Sequence, residues 1–213
     1  MQEKKENVDR YFYENKLWGE DYKRVMGLDE VGRGCLSGPV VAAGVILKPE
    51  CKLDDRIADS KKINETVRIE LADYIKKNAL FWTIQSCSVK EIDELNILHA
   101  SLKAMNRCVS VDGANPDFLL VDGNRYTASL IPHACVVKGD DRSATIAAAS
   151  ILAKVYRDEY MKQLHNEFPF FGWDKNVGYP TKAHFKGLAN NGFTIHHRRS
   201  FRLRTDKAYK KAE

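Results

Sequence analysis

Apolar positions fall into blocks whose spacing predicts strands and helices in succession. Val25–Val31 is an apolar run that ends on two acids, and 39–47 (Pro-Val-Val-Ala-Ala-Gly-Val-Ile-Leu) is apolar throughout, as expected of a strand covered on both faces. The connection 32–38 is too short for a crossover helix, so these strands are expected to form an antiparallel hairpin. Asn64 can cap a helix running to about residue 78, with Val67, Leu71 and Ile75 on one stripe. A third strand is expected over 80–89, a second helix over 97–110, and short strands over 117–122 and 131–137. The longest helix is expected over 143–167. Its alanine-rich first half (Ala144, Ala147, Ala148, Ala149, Ala153) permits close approach to a sheet. After Pro169, glycine- and aromatic-rich turns lead to a last short helix over 181–190, ended by Asn191-Gly192. Antiparallel strands followed by β/α alternation predict an α/β fold, a mixed sheet flanked by helices with a C-terminal helical extension. The expected division is an N-terminal extension (1–24), a central α/β domain (25–168) and a basic helical extension (169–213) packed on it.

Length and composition narrow the class. A chain of 213 residues with 44% hydrophobic content can bury one substantial core. No apolar run reaches membrane-spanning length and the first twenty residues are polar, so neither a transmembrane helix nor a signal peptide is expected. Five cysteines, odd in number and without a CxxC pair, argue against a disulfide framework or a zinc site and for a reducing, cytoplasmic setting. The formal charge is +5, and 196–213 holds seven Lys/Arg against two acids, interrupted by Phe201 and Tyr209. That pattern suits a polyanionic partner.

The chemistry centres on acids at strand ends. Val25–Val31 carries Asp29 and Glu30, and 117–122 ends on Asp122. Ligands of open α/β sheets collect outside the C-terminal ends of strands, so these acids are expected to meet. Carboxylates brought together repel by about 4 kcal/mol per pair at 4 Å and an effective dielectric near 20, which raised pKa values or a bound cation relieve. Oxygen-only ligands favour Mg²⁺ or Mn²⁺ over zinc. One geometric difficulty remains in the sequence: neighbours on a regular strand point to opposite faces, so Asp29 and Glu30 share a site only if the strand twists, bulges or ends there, which Gly32 permits. The Gly32-Arg33-Gly34 turn can bring backbone amides and a guanidinium against a phosphodiester. As a dinucleotide fingerprint it would need a helix next, but residues 35–39 lead into a strand.

The block Gly27-Leu-Asp-Glu-Val-Gly-Arg-Gly-Cys-Leu-Ser-Gly-Pro-Val-Val-Ala-Ala resembles the opening of bacterial ribonuclease HII. Further blocks follow in that family's order: Asp59-Ser60-Lys61-Lys62, Val121-Asp122-Gly123, Lys138-Gly139-Asp140, Ala148 to Asp158, Gly178-Tyr179-Pro180-Thr181, and His197-Arg198-x-Ser200-Phe201. The resemblance covers residues 25–201 and implies a ribonuclease H-like fold. It implies an endonuclease that hydrolyses RNA paired to DNA, including a lone ribonucleotide in duplex DNA, with Mg²⁺ or Mn²⁺. The family's four metal-binding acids map to Asp29, Glu30, Asp122 and Asp140. Asp140 is preferred to Asp141 and Asp158 because a Lys-Gly turn after a strand can aim it at the sheet end, while Asp158 is read as structural.

The resemblance also assigns recognition of the 2′-hydroxyl to the backbone of Gly32, Arg33 and Gly34 together with the Tyr179 hydroxyl. Lys61, Lys62, Arg142, Lys182 and Arg198 are candidate phosphate contacts. His184, His196 and His197 are too scattered in sequence for a metal set and are read as structural or as groups at the substrate edge. The expected protein is a monomer that binds RNA–DNA hybrids and ribonucleotide-containing duplex DNA, with no membrane association. Two other readings stay open: a ribonuclease H-like DNA nuclease of junction-resolvase type, and a non-catalytic hybrid-binding module.

Overall fold

The computed structural model describes residues 9–49, 51, 53, 54, 56, 57, 63–127 and 129–202. Its centre is a five-stranded sheet built from β1 (Val25–Val31), β2 (Val40–Ile46), β3 (Phe81–Cys87), β4 (Phe118–Asp122) and β5 (His133–Val136), in the order β3-β2-β1-β4-β5. The hairpin expectation holds: β1 and β2 are antiparallel, with Asp29 opposite Ala43. β3 extends that antiparallel half, and β4 and β5 add in parallel on the other side of β1.

Strand β2 shows why its sequence is apolar at every position. Val41, Ala43 and Val45 face one core with Leu71 and Ile75 of α2 (Glu65–Asn78) and the alanines of α5 (Ala144–Glu167). Val40, Ala42 and Ile46 face a second core with Ala100, Ala104 and Cys108 of α4 (Ile97–Val109). Burying each Val, Leu or Ile side chain contributes roughly 1.5–3 kcal/mol, so both faces hold the sheet. The start of α5 lies directly on β1. A Cβ at Gly27 would come within 2.3 Å of the Thr145 carbonyl carbon. Asn64 and Ser143 cap α2 and α5 with their side chains.

Two helices ahead of α5 go beyond the sequence expectation. One is α1 (Phe12–Gly19), whose buried Glu14 accepts from Ser143 Oγ, Thr145 N and Thr145 Oγ1, tying the N-terminal residues to the start of α5. The other is α3 (Val89–Leu95), opened by a Ser88/Glu91 capping box and joined to α4 through Asn96. β5 is shorter than the 131–137 expected.

Beyond α5, a single turn of helix α6 (Trp173–Asn176) and α7 (Lys182–Asn191) pack through Phe171, Trp173 and Leu188 onto Met161, Leu164 and Leu36. A lone antiparallel bridge joins Ser37 to His197, so the C-terminal region clasps the turn that follows β1. Among the described residues no helix is long and apolar enough to cross a membrane.

Candidate active site

The acids meet because of where pairing stops. β1 and β4 run in parallel register only as far as Leu28–Val121, after which β4 ends at Asp122 while β1 continues through Asp29 and Glu30. Asp29 is 7% exposed and accepts from the Glu30 amide at 2.7 Å. Glu30 lines two clefts at once. One, of ≈ 300 Å³, lies against α4 with Arg33, Ser101, Asp122 and Arg125. The other, also ≈ 300 Å³, lies against α5 with Arg68, Asp140, Ser150 and Lys154. At the open end of the sheet Glu30 is thus reached from either face, while Asp29 beside it is buried and feels the Glu30 and Asp122 charges.

Asp122 Oδ1 accepts from the Gly139 amide at 2.6 Å. That bond fastens the end of β4 to the 3-10 turn Gly139–Asp141, which carries Asp140 just after Lys138 in a left-handed conformation (φ 56°). The electrostatics match the geometry. Burial pushes the Asp29 carboxyl well above the usual range, a hydrogen bond from Ser150 opposes this, and the Asp122 and Glu30 charges push it further up. Burial also raises Glu30, against the pull of Arg33 at 3.0 Å. Asp122 is raised by burial and then by Asp140, while the Gly139 amide lowers it.

Among the described residues no group of three His, Cys, Asp or Glu side chains is placed to hold a metal ion; Glu30, Asp122 and Asp140 line the two clefts, and Asp29 is buried and lines neither. All four offer oxygen alone. Burial and mutual repulsion raise three of them toward either protons or a hard divalent cation, so the donor set fits Mg²⁺ or Mn²⁺.

The turn after β1 is shaped from beneath. Gly32 has φ +92°, and a Cβ there would meet Arg157 Nε at 2.2 Å. Arg157 is fully buried on α5 and donates to the carbonyls of Pro39, Val177 and Ser37 at 2.8–3.0 Å. Gly34 faces Tyr179, whose ring lies 3.8 Å from where a Cβ would sit. Tyr179 is 40% exposed, and the loop that bears it is held firmly. Asn176 donates to Phe171 O and Thr181 Oγ1 and accepts from Gly178 N, and Leu36 N donates to Gly178 O at 2.8 Å. Val177, a β-branched residue, sits in the left-handed region at φ 42°, a strained conformation that these bonds impose.

The ribonuclease HII family model matches residues 26–204. Ribonuclease HII of Salinibacter ruber is 49% identical over 198 residues, covering 91% of this chain and 98% of that protein. The Bacteroides thetaiotaomicron protein of the same name is 50% identical over 181 residues, covering 84% and 90%. The chain belongs to the ribonuclease HII family. Among solved structures, the ribonuclease HII in the PCNA complex from Archaeoglobus fulgidus matches with a TM-score of 0.70 at 26% identity, over 85% of this chain and 96% of that one. The Pyrococcus horikoshii ribonuclease H2 matches with the same TM-score at 21% identity, over 87% and 97%. The expected ribonuclease H-like architecture is therefore the observed one. A ribonuclease HII is a metal-dependent endonuclease of the ribonuclease H class, hydrolysing the RNA strand of hybrids.

The candidate phosphate contacts of this ribonuclease HII divide. Arg142 is exposed, with its guanidinium 5.5 Å from the Tyr13 ring, and Lys182 is exposed at the start of α7. Lys61 and Lys62 lie outside the described residues. Arg198 needs correcting as a phosphate contact. It is 1% exposed and donates to Gly38 O at 2.9 Å and Arg33 O at 3.0 Å, so it braces the Gly-Arg-Gly turn from inside. Asp158 pairs with Lys154 at 2.6 Å, one of the partners expected for it. The histidines are less scattered than the sequence implied: His184 and His197 are buried with their Nε2 atoms 3.2 Å apart. Arg157 was missed as a brace. In sequence it is one more cation on a polar helix stretch, and only the small residues Gly32 and Gly38 facing it hinted that something large passes beneath.

Proposed function

We propose that this ribonuclease HII cuts on the 5′ side of single ribonucleotides embedded in duplex DNA, as well as within longer hybrids, leaving 5′-phosphate and 3′-hydroxyl ends. The observation that carries the reading is the continuity of the acidic edge with the ribose-reading turn. Glu30 is ion-paired to Arg33, Arg33 adjoins Gly34, and Gly34 lies under the Tyr179 ring. A scissile phosphate at the acids thus puts its neighbouring sugar at Gly32-Arg33-Gly34 and Tyr179.

Asp29, Glu30, Asp122 and Asp140 would hold the divalent ions. Two such ions, Mg²⁺ or Mn²⁺, would supply there an activated water at neutral pH and a counter-charge for the departing 3′ oxygen. The buried backbone of β1 and the Asp122–Gly139 bond fix the acids in place, so little reorganisation is needed. Glycines at 32 and 34 let main-chain groups approach the sugar, and the Tyr179 hydroxyl can pair with the 2′-hydroxyl. A site built to pair with a hydroxyl rejects its absence by about 10⁴-fold or more. Exposed Arg142 and Lys182, with the net positive charge, supply binding that weakens with salt. The chain is expected to act as a monomer.

A labelled DNA duplex bearing one ribonucleotide tests this with Mg²⁺, Mn²⁺ or EDTA present. Cutting at the 5′ side, abolished by EDTA and lowered by about 10²-fold in Tyr179→Ala, is the expected outcome. Equal cutting of an all-DNA duplex, or a 2′,3′-cyclic phosphate product, would sink the reading.

A further inference from the structure

Beneath Tyr179 lies a closed chain of hydrogen bonds that ends on its main-chain carbonyl. The chain starts at Thr194, whose amide donates to His197 Nδ1 at 3.0 Å. An amide can only donate, so Nδ1 carries the lone pair and the His197 proton sits on Nε2. That Nε2 lies 3.2 Å from His184 Nε2, and Trp173 Nε1, also a donor only, lies 3.2 Å from the same atom. His184 Nε2 must therefore accept, with Ser37 Oγ a further neighbour at 3.0 Å. The His184 proton is thereby forced onto Nδ1, which lies 3.0 Å from the Tyr179 carbonyl, a group that can only accept.

Each end of this relay has a fixed polarity, so the proton on each imidazole is determined. Both imidazoles are buried, at 0% and 2% exposure, and Phe171 stacks on Trp173 at 4.9 Å to keep the relay dry. Adding a proton to either ring would set donor against donor.

We infer that His184 is a positioning residue for Tyr179: its Nδ1–H, held in that tautomer by Trp173 and His197, anchors the tyrosine main chain over Gly34. The inference deepens the proposed role of Tyr179 and rests on it. His184 itself is buried and touches no substrate. What it fixes is the registration of the Tyr179 ring, because the same loop is pinned on its other side by Gly178 O and Val177 O.

The experiment has two arms on the full-length protein. Long-range ¹⁵N–¹H correlation spectra of histidine-labelled enzyme read the tautomers without substrate or metal. His184 protonated on Nδ1 and His197 on Nε2 is the expected pattern, and a proton on His184 Nε2 overturns the inference whatever the enzyme cuts. The second arm compares His184→Asn, whose amide can stand in for Nδ1–H, with His184→Gln, whose amide reaches the Nε2 position instead. His184→Gln is expected to lower kcat on a single embedded ribonucleotide by about 10²-fold with KM nearly unchanged, the cost of an ångström-scale misplacement, while His184→Asn recovers most of it. Equal loss in both variants would mark His184 as a packing residue only, and wild-type turnover in both would remove its role. Loss of cutting by Tyr179→Ala, measured alongside, reports on the proposed function separately.

Discussion

Asp29 has a conflict at the level of a single side chain. It is buried among other acids, and its carboxyl is held well above the usual pKa, by burial first and by the neighbouring charges after it. An acid raised in the folded state favours folding below its unfolded pKa of 3.8, and that contribution is lost as pH rises through the higher folded value. Near neutral pH and without divalent ions, Asp29→Asn is therefore expected to raise Tm by a few degrees in a thermal melt, while lowering cleavage by at least about 10²-fold. A fall in Tm would show that the carboxylate is a net stabiliser of the metal-free fold. Asp29, Glu30 and Asp122 were legible as acids near the ends of apolar strands, whereas Asp140, on the turn after β5, was placed only by the family resemblance. The braces were not legible. Arg157, Arg198 and His184 have the composition of surface residues, and nothing in their local spacing reveals that they turn inward to carbonyls and rings far away in sequence.

Elements that bury apolar stripes were read well, with α2, α4 and α5 found within a residue or two at most ends. α1 escaped because it buries only Leu17 and the acid Glu14, so its inward face has no apolar period. α3 is seven residues between a strand and a helix, and only its Ser88/Glu91 capping box marked it. That element gives a pH-dependent expectation. Glu91 pairs with Arg107 and Lys103 at 2.7 Å each, and these bonds with the Ser88 amide hold its pKa at about 2. A depressed acid contributes stability above its unfolded pKa of 4.5, lost as pH falls toward about 2. Glu91→Gln should cost roughly 1 kcal/mol in denaturant melts at pH 7 and progressively less below pH 4.5. A constant difference across that range would assign the effect to the cap alone. Helix-on-sheet packing offers a second case. Gly27→Ala puts a methyl against the Thr145 backbone, which cannot swing aside, and should cost about 1–3 kcal/mol or more in the same melts, with hybrid binding by the folded fraction unchanged.

For the whole molecule, the C-terminal region and the sheet share one set of buried polar bonds. His197 is held near pKa 4, by burial first and then by the neighbouring His184 and His196, and burial lowers His184 as well. Glu167 pulls the other way on His196. A base lowered in the folded state stabilises above its unfolded pKa, so stability should decline as pH falls from 6.5 toward about 4. The decline should be shallower in His197→Gln, as urea midpoints across that interval would show; an unchanged slope would place the acid sensitivity elsewhere. The mixed sheet with helices on both faces could be inferred from strand order and connection length. The clasp could not, since Ser37 and His197 are brought together only by tertiary packing.

Arg198 reaches back across the chain to the carbonyls of Arg33 and Gly38. During synthesis β1 and the turn after it emerge early, but that turn cannot gain its Arg198 brace until residues near 198 have left the ribosome. The turn made among the first elements is therefore among the last to be braced.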